Sequence, residues 1–354
     1  MQTFDDKEFL PASALAKITE VRMADPGRPA QIAKTRKRRS TLSLDGRLNI
    51  LAADHPARRV TKVGDDTLRM ADRHSYLARI VRVLQSDTVD GVMATMDILE
   101  DLLVLHQLFV EADGPALLDN RLLIASLNRG GLAAASWEMG DPITGSSASA
   151  CAAMELDGAK LLLRICDEEP DSLKTLLYCA QAITEMNALR LPTFLEPLPV
   201  EKTGGSYRVV KTAEALAKIV GVASALGDSS RYLWLKLPYC DNYEVVARAT
   251  TLPILLLGGE SVGDATPLLR EIEAGLSAGS NVRGALVGRN VLYPGEEDPL
   301  AVAQAAGAII HQRWTVERTL AAQESWRGRD LSVIAACCRR LEGKSSTDYT
   351  DFTD

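Results

Sequence analysis

The sequence predicts an α/β fold, a TIM (β/α)8 barrel with an N-terminal extension and a C-terminal helix plus a disordered tail. Three observations predict it. Eight short apolar runs recur along the chain, and each is followed by a stretch with helical spacing of apolar residues. The runs are nearly continuously apolar, as strands of a parallel sheet covered by helices must be. Glycines follow the last two runs, where barrels of this type often bind phosphate. A doubly wound sheet would require neither eight repeats nor those glycines.

Residues 47–55 (RLNILAADH) read as the first strand and 68–84 as its helix. Residues 91–99 (GVMATMDIL) read as the second strand, with a helix from 101 to 110. The third strand is 121–128 (RLLIASLN); a polar, glycine-rich stretch through Gly145 precedes the helix at 147–156. The fourth is 159–166 (AKLLLRIC), with a helix at 171–189 that starts near Pro170 or Asp171. The fifth is 191–198 (LPTFLEPL) and its helix 212–225. The sixth, 232–237, precedes a helix at 243–249; the seventh, 253–258 (PILLLG), precedes one at 264–274. The eighth, 284–291 (GALVGRNV), leads to a helix at 299–312. The expected organisation is an extension over 1–44, a catalytic barrel over 45–315, and a tail region over 316–354 with a helix at 331–341. The last stretch, EGKSSTDYTDFTD, is acidic and lacks an apolar period, so it reads as disordered.

A chain of 354 residues, 46% hydrophobic, can build a sizeable core. Its net charge of −7 gives no positive field for nucleic acid. The basic run from Lys34 to Arg39 reads as a solvated surface segment. The six cysteines form no CxxC pair and read as reduced, packed thiols. There is no signal-peptide core and no apolar run of about 18 residues, so a cytoplasmic protein without a membrane partner is expected. The histidines, His55, His74, His106 and His311, show no HxH or HxxxH spacing. With no Rossmann fingerprint or Walker loop either, neither metal nor other cofactor is expected.

Chemistry in such a barrel sits at the C-terminal ends of the strands. In strand order these offer Asp54 with His55, Asp97, Asn128 with Arg129, Arg164, Glu196, Lys236, Gly258 with Gly259, and Gly288 with Arg289. Lys236 closes the apolar run YLWLK. An amine held in an apolar wall can attack a carbonyl and form a Schiff base. Trp234 and Leu235 would desolvate it, and Arg164 would add a like charge from an alternate strand. Glu196, on the neighbouring strand, can shuttle protons. Asp54 can orient the lysine or bind a substrate hydroxyl. His55 reads as structural and directed elsewhere, and Asp97 as a minor pocket residue. Gly258, Gly259, Gly288 and Arg289 fit a phosphate site, the glycines through backbone N–H groups and the arginine through a charge-assisted contact. The competing reading makes Lys236 an ion-pair tie within the barrel and the glycines ordinary turns.

Four segments carry a resemblance over roughly residues 45–312: LAADHPARR, FLEPLP, LWLKLPY with TLPILLLGGE, and GALVGRNVLY. With them the chain resembles the class I (Schiff-base) aldolases that include the archaeal-type fructose-bisphosphate, deoxyribose-phosphate and tagatose-bisphosphate enzymes. It looks most like a divergent deoxyribose-phosphate aldolase-like subgroup that can accompany inositol catabolism. The resemblance implies that Lys236 is the Schiff-base lysine, Asp54 the pocket aspartate and Glu196 the acid/base glutamate of the tagatose-bisphosphate branch. The fructose-bisphosphate branch has a tyrosine in that region, which this chain lacks. The deoxyribose-phosphate branch uses a second active-site lysine, where this reading finds only Arg164 at the fourth strand. A cofactor-free carbon–carbon lyase is implied. It would act on a phosphorylated sugar, such as 5-dehydro-2-deoxygluconate 6-phosphate, and assemble as a homo-oligomer. A transaldolase-like or isomerising Schiff-base barrel, and a non-catalytic sugar-phosphate-binding barrel, are the alternatives.

Overall fold

The computed structural model describes residues 3–342. Eight parallel strands close into a cylinder: β1 (Leu48–Ala53), β2 (Gly91–Ala94), β3 (Leu122–Ser126), β4 (Gly158–Ile165), β5 (Thr193–Thr203), β7 (Leu233–Pro238), β8 (Ile254–Leu257) and β9 (Val282–Val287). They pair in that order, and β9 returns to β1. The remaining strand, β6 (Ser206–Val209), lies outside the cylinder, antiparallel to the far half of β5. This is the TIM barrel that the eightfold repeat predicts.

Helices α1 (Asp6–Phe9), α2 (Ala12–Ala24) and α3 (Arg28–Thr35) precede the barrel. Alternating with the strands come α4 (Arg73–Leu84), α5 (Met96–Glu111), α6 (Ala148–Ala153), α7 (Asp171–Ala188), α8 (Ala213–Ser224), α9 (Tyr243–Arg248), α10 (Thr266–Ala278), the short α11 (Arg289–Leu292) and α12 (Pro299–Gln312). Two more, α13 (Val316–Gln323) and α14 (Leu331–Glu342), follow. The predicted disordered tail lies, from residue 343 on, outside the described residues.

Three element readings are corrected. The second strand stops at Ala94 and α5 starts at Met96, so Asp97 stands in the first turn of a helix, where a negative charge is favoured. There it pairs with Arg73 and takes no part in the cavity described below. The eighth barrel strand stops at Val287, and Gly288 and Arg289 begin α11. The fifth runs eleven residues, into a hairpin with β6.

Two apolar layers flank the sheet. Outward-facing strand residues such as Leu51, Leu161, Leu195 and Leu235 pack beneath the helices. Inside, Leu48, Ile50, Ala52, Met93, Leu122, Ile124, Phe194, Leu255 and Leu286 form a plug, with Trp234 against it. Side chains alternate along a strand. The next inward position above the plug is therefore Asp54 after β1, Ser126 on β3, Glu196 on β5 and Lys236 on β7.

The basic run is solvated only in part: Lys34, Lys37 and Arg38 are exposed, but Arg36 is buried and Arg39 half-buried. Arg36 lies 2.6 Å from Asp157, Arg38 3.0 Å from the same carboxylate, and Arg39 2.8 Å from Asp90. Asp157 and Asp90 immediately precede β4 and β2. The run thus binds the extension to the N-terminal rim of the barrel, opposite the mouth. All six cysteines are free and buried. No helix among the described residues is long and apolar enough to cross a membrane.

Candidate active site

A cavity of about 370 Å³ opens at the C-terminal end of the barrel, lined by Asp54, His55, Arg129, Glu196, Lys236 and Arg289 among others. Its centre is one carboxylate oxygen. Glu196 Oε2 lies 3.1 Å from Lys236 Nζ, which donates to it, and 2.7 Å from Lys160 Nζ. Lys160 is completely buried, whereas Lys236 lies on the cavity wall. Asp54 closes the polar layer: Ser126 Oγ donates to its Oδ2 at 2.8 Å, Arg129 pairs with Oδ1, and Lys160 Nζ is 3.7 Å away.

Lys160 escaped the sequence reading because it opens its strand rather than closing it. The strands of a barrel are staggered. Lys160 is level with Ser126, the last residue of β3, and with Phe194 on β5. The start of β4 therefore stands at the height of the neighbouring strand's end. A signal existed: Lys160, Leu162 and Arg164 share one face of β4, so the strand carries a cation at its start as well as at its end on the phase that faces the barrel interior.

Burial and charge act against each other here. Burial would raise the Glu196 carboxyl, but Lys160 and then Lys236 outweigh it and hold it down to about 2. For Lys160, burial and then the Arg129 guanidinium outweigh the pull of Glu196 and Asp54 and push the amine down to about 8. Asp54 stays ionised well below the usual carboxylate range: burial opposes this, and Arg129 and Lys160 overcome it. Arg129 rather than Arg164 is the like charge that acts on Lys160. Arg164 rises past the cavity lining and ties down the loop after β3, through Glu138 Oε1 at 2.9 Å and the Glu138 carbonyl.

His55 does face the cavity, contrary to the sequence reading. It opens a short 3-10 turn, His55–Arg58, and its Nδ1 is buried without a partner. Burial pushes its pKa down to about 3 against the pull of Asp54, with Arg289 and Arg129 adding to the effect, so the ring is neutral. Of the four predicted phosphate residues, Gly259 and Arg289 line the cavity. Gly258 does not; its carbonyl accepts from Asn290 Nδ2. Gly288 also stands outside the lining, and serves close approach: a Cβ there would sit 2.6 Å from His55 Cε1 and closer still to the Ala52 carbonyl. Arg289 faces Glu260 at 3.5 Å, and its Nε has no partner. Trp234 and Phe194, rings 6.0 Å apart, form the floor one layer below Lys236 and Glu196. Leu162, Leu198, Pro238 and Leu257 supply an apolar wall. Among the described residues no cluster of three or more His, Cys, Asp or Glu side chains could hold a metal ion.

A lysine on a cavity wall with a shared carboxylate and a second, buried amine behind it can form, protonate and hydrolyse an imine. Comparison with known proteins agrees in fold. The solved structure of Cgl0159 from Corynebacterium glutamicum is 36% identical over 86% of this chain and 99% of that one, with a TM-score of 0.80. An archaeal fructose 1,6-bisphosphate aldolase matches at 21% identity over 76% and 95%, TM-score 0.53. The fructose-bisphosphate aldolase of Slackia heliotrinireducens matches at 17% over 92% and 97%, TM-score 0.60. These two share the barrel. A search of the curated proteins finds no match to this chain. The family model described as Cgl0159-like matches residues 46–307. With that match and the 36% identity to Cgl0159 itself, the chain belongs to the Cgl0159-like family.

Proposed function

We propose that the protein is a class I aldolase that makes or breaks a carbon–carbon bond of a phosphorylated sugar through a Schiff base on Lys236. One observation carries the reading: Lys236, on the cavity wall, shares Glu196 Oε2 with the fully buried Lys160. The shared barrel fold supports it, and one archaeal fructose-1,6-bisphosphate aldolase of that fold has been solved with its catalytic lysine bound to a carbinolamine.

The Lys236 amine adds to the substrate carbonyl and its proton passes to the Glu196–Lys160 pair. Carbinolamine formation removes one of the two ammonium charges on Glu196 until the iminium restores it, and the pair gives the proton it took back to the departing hydroxyl. Loss of water leaves an iminium, which draws electrons from the adjacent carbon–carbon bond. Glu196 takes the proton of the hydroxyl beyond that bond, the aldehyde departs, and an enamine remains. Lys160, at about 8, returns a proton readily near neutral pH. Reprotonation of the enamine and hydrolysis of the imine release the second product. Asp54, ionised and fixed by Arg129 and Ser126, holds the polar layer in register. Arg289 and Gly259 receive the phosphate.

The test is incubation with dihydroxyacetone phosphate, then borohydride, intact mass and peptide mapping. The expected result is one adduct, on the peptide containing Lys236. An adduct on Lys160 would overturn the assignment of the nucleophile. No adduct with any of a panel of aldehydes and ketose phosphates would overturn the aldolase reading.

A further inference from the structure

The hairpin that prolongs β5 takes no part in closing the barrel. Its tip is Gly204-Gly205, both with positive φ (56° and 82°), a two-residue connection suited to a tight hairpin. Val200 pairs with Val209 and Lys202 with Tyr207, alternating with Glu201 opposite Arg208. The root is fixed from below. Val200, Val209 and Tyr207 pack with Met139, Leu162, Cys166 and Leu198 in a small apolar cluster of their own. Lys202 lies 2.6 Å from Glu169 and over the Tyr207 ring. Val209, Arg208 and then Lys211 reach the cavity from the returning strand.

The charges of that cavity do not balance. Six cations line it (Arg58, Arg129, Arg208, Lys211, Lys236 and Arg289) against three carboxylates, Asp54, Glu196 and Glu260. Arg129 is held by Asp54, Lys236 by Glu196, Arg289 by Glu260, and Arg58 lies 3.7 Å from Glu138. Arg208 and Lys211 are left. Neither forms an ion pair among the described residues: Glu201 opposite Arg208 makes none, and Glu271 feels Lys211 only at longer range. Lys211 Nζ stands 3.9 Å from where a Cβ on Gly259 would sit, so it faces the Gly259 backbone, on the cavity that Arg289 also lines. On a chain of net charge −7, two unpaired cations beside the reactive amines form a local field for an anion.

We propose that the β5–β6 hairpin is a substrate-selecting arm: Arg208 and Lys211 take the anionic group of the substrate and set the preference for phosphorylated over neutral carbonyl compounds. The identity of the reacting carbonyl rests on the Schiff-base reading; anion capture by the arm does not. A guanidinium fork and a compact ammonium, beside open glycine backbone, suit the several oxygens of a phosphate monoester. Because the arm is rooted on the cavity's apolar wall, a ligand seated on it also has its carbon chain laid along Leu198, Val209 and Leu257.

The test compares the wild type with Arg208→Gln, Lys211→Gln, the double variant and the charge reversal Arg208→Glu. Glycerol 3-phosphate, which has no carbonyl, is titrated calorimetrically at low salt. Its Kd is expected to rise about tenfold in each single Gln variant, further in the double, and most with Arg208→Glu. A wild type that does not bind it, or a double variant within twofold of the wild type, overturns the proposal. Borohydride trapping then compares dihydroxyacetone phosphate with dihydroxyacetone. The selectivity ratio is expected to fall at least about tenfold in the double variant; equal losses for both donors overturn the selecting role. If neither donor is trapped on the wild type, the Schiff-base reading fails, and the glycerol 3-phosphate titration still decides the arm.

Discussion

Lys160→Met keeps the length and apolar volume of the side chain and deletes one of the two ammonium groups on Glu196. Two unit charges 2.7 Å apart interact by about 6 kcal/mol at an effective dielectric near 20. At about 1.4 kcal/mol per pH unit, that is worth up to roughly four pH units on the carboxyl. Losing a cationic neighbour favours the protonated form, so the pKa of Glu196 rises from about 2. Lys236, at 3.1 Å, remains to oppose burial, and the new value should fall at roughly pH 4–6. Catalysis that needs ionised Glu196 then fails on the acid side at a higher pH than in the wild type. The assay is the rate of adduct formation with dihydroxyacetone phosphate, followed by intact mass with cyanoborohydride between pH 4 and 9. In that window the wild type is expected to show no acid limb from Glu196, whereas the variant loses its rate below roughly pH 4–6, with the adduct still on Lys236. Superimposable profiles would refute the coupling of Lys160 to Glu196.

Three further outcomes follow from the geometry. Gly288→Ala places a Cβ against His55 and the Ala52 carbonyl, so thermal unfolding should show a loss of about 1–3 kcal/mol. An unchanged Tm with unchanged trapping would deny the close approach any role. Arg36→Ala leaves Asp157 with Arg38 and the Leu123 N–H as its partners and should cost about 3 kcal/mol in urea denaturation; a loss below about 1 kcal/mol would mean that these suffice. His311 sits between Asp45 at 2.8 Å and Asp90 at 3.1 Å, and hydrogen bonds to both carboxylates raise its pKa against the effect of burial. A folded-state value above the unfolded one stabilises fully below about pH 6.5, and the increment disappears as pH rises through the folded value. The stability gap between wild type and His311→Asn should therefore narrow from pH 5.5 to 8.5; a gap that widens would reverse the sign.

The barrel is legible because its strands are apolar on both faces and its helices keep their period, and those two signals are local. What escaped depends on neighbours far away in sequence. The stagger of β4 is a property of the closed cylinder, so Lys160 looks like an early strand residue until Ser126 stands beside it. Met96 and Arg289 follow apolar runs and read as strand, yet each starts or nearly starts a helix. The Gly204-Gly205 hairpin turn lies in the sequence, but the stretch between the fifth strand and its helix reads as a connection. Arg36 and Arg39 look solvated because their partners, Asp157 and Asp90, lie far along the chain. Gly288 reads as a phosphate loop, whereas its missing side chain makes room for His55.

The seam between β1 and β9 pairs Leu48 with Gly284 and Ile50 with Leu286, joining the first barrel strand to the last. Pairing strands so distant along the chain costs loop-closure entropy and slows folding. Until the seam shuts, Asp54, Lys160, Glu196 and Lys236 stand on an open sheet and keep their hydration. Closing it strips water from all four together, a cost that their mutual pairing must offset in one step. The layer that equips the mouth for chemistry thereby ties its desolvation to closure of the cylinder. Synthesis of a large part of the chain must be finished before that event can begin.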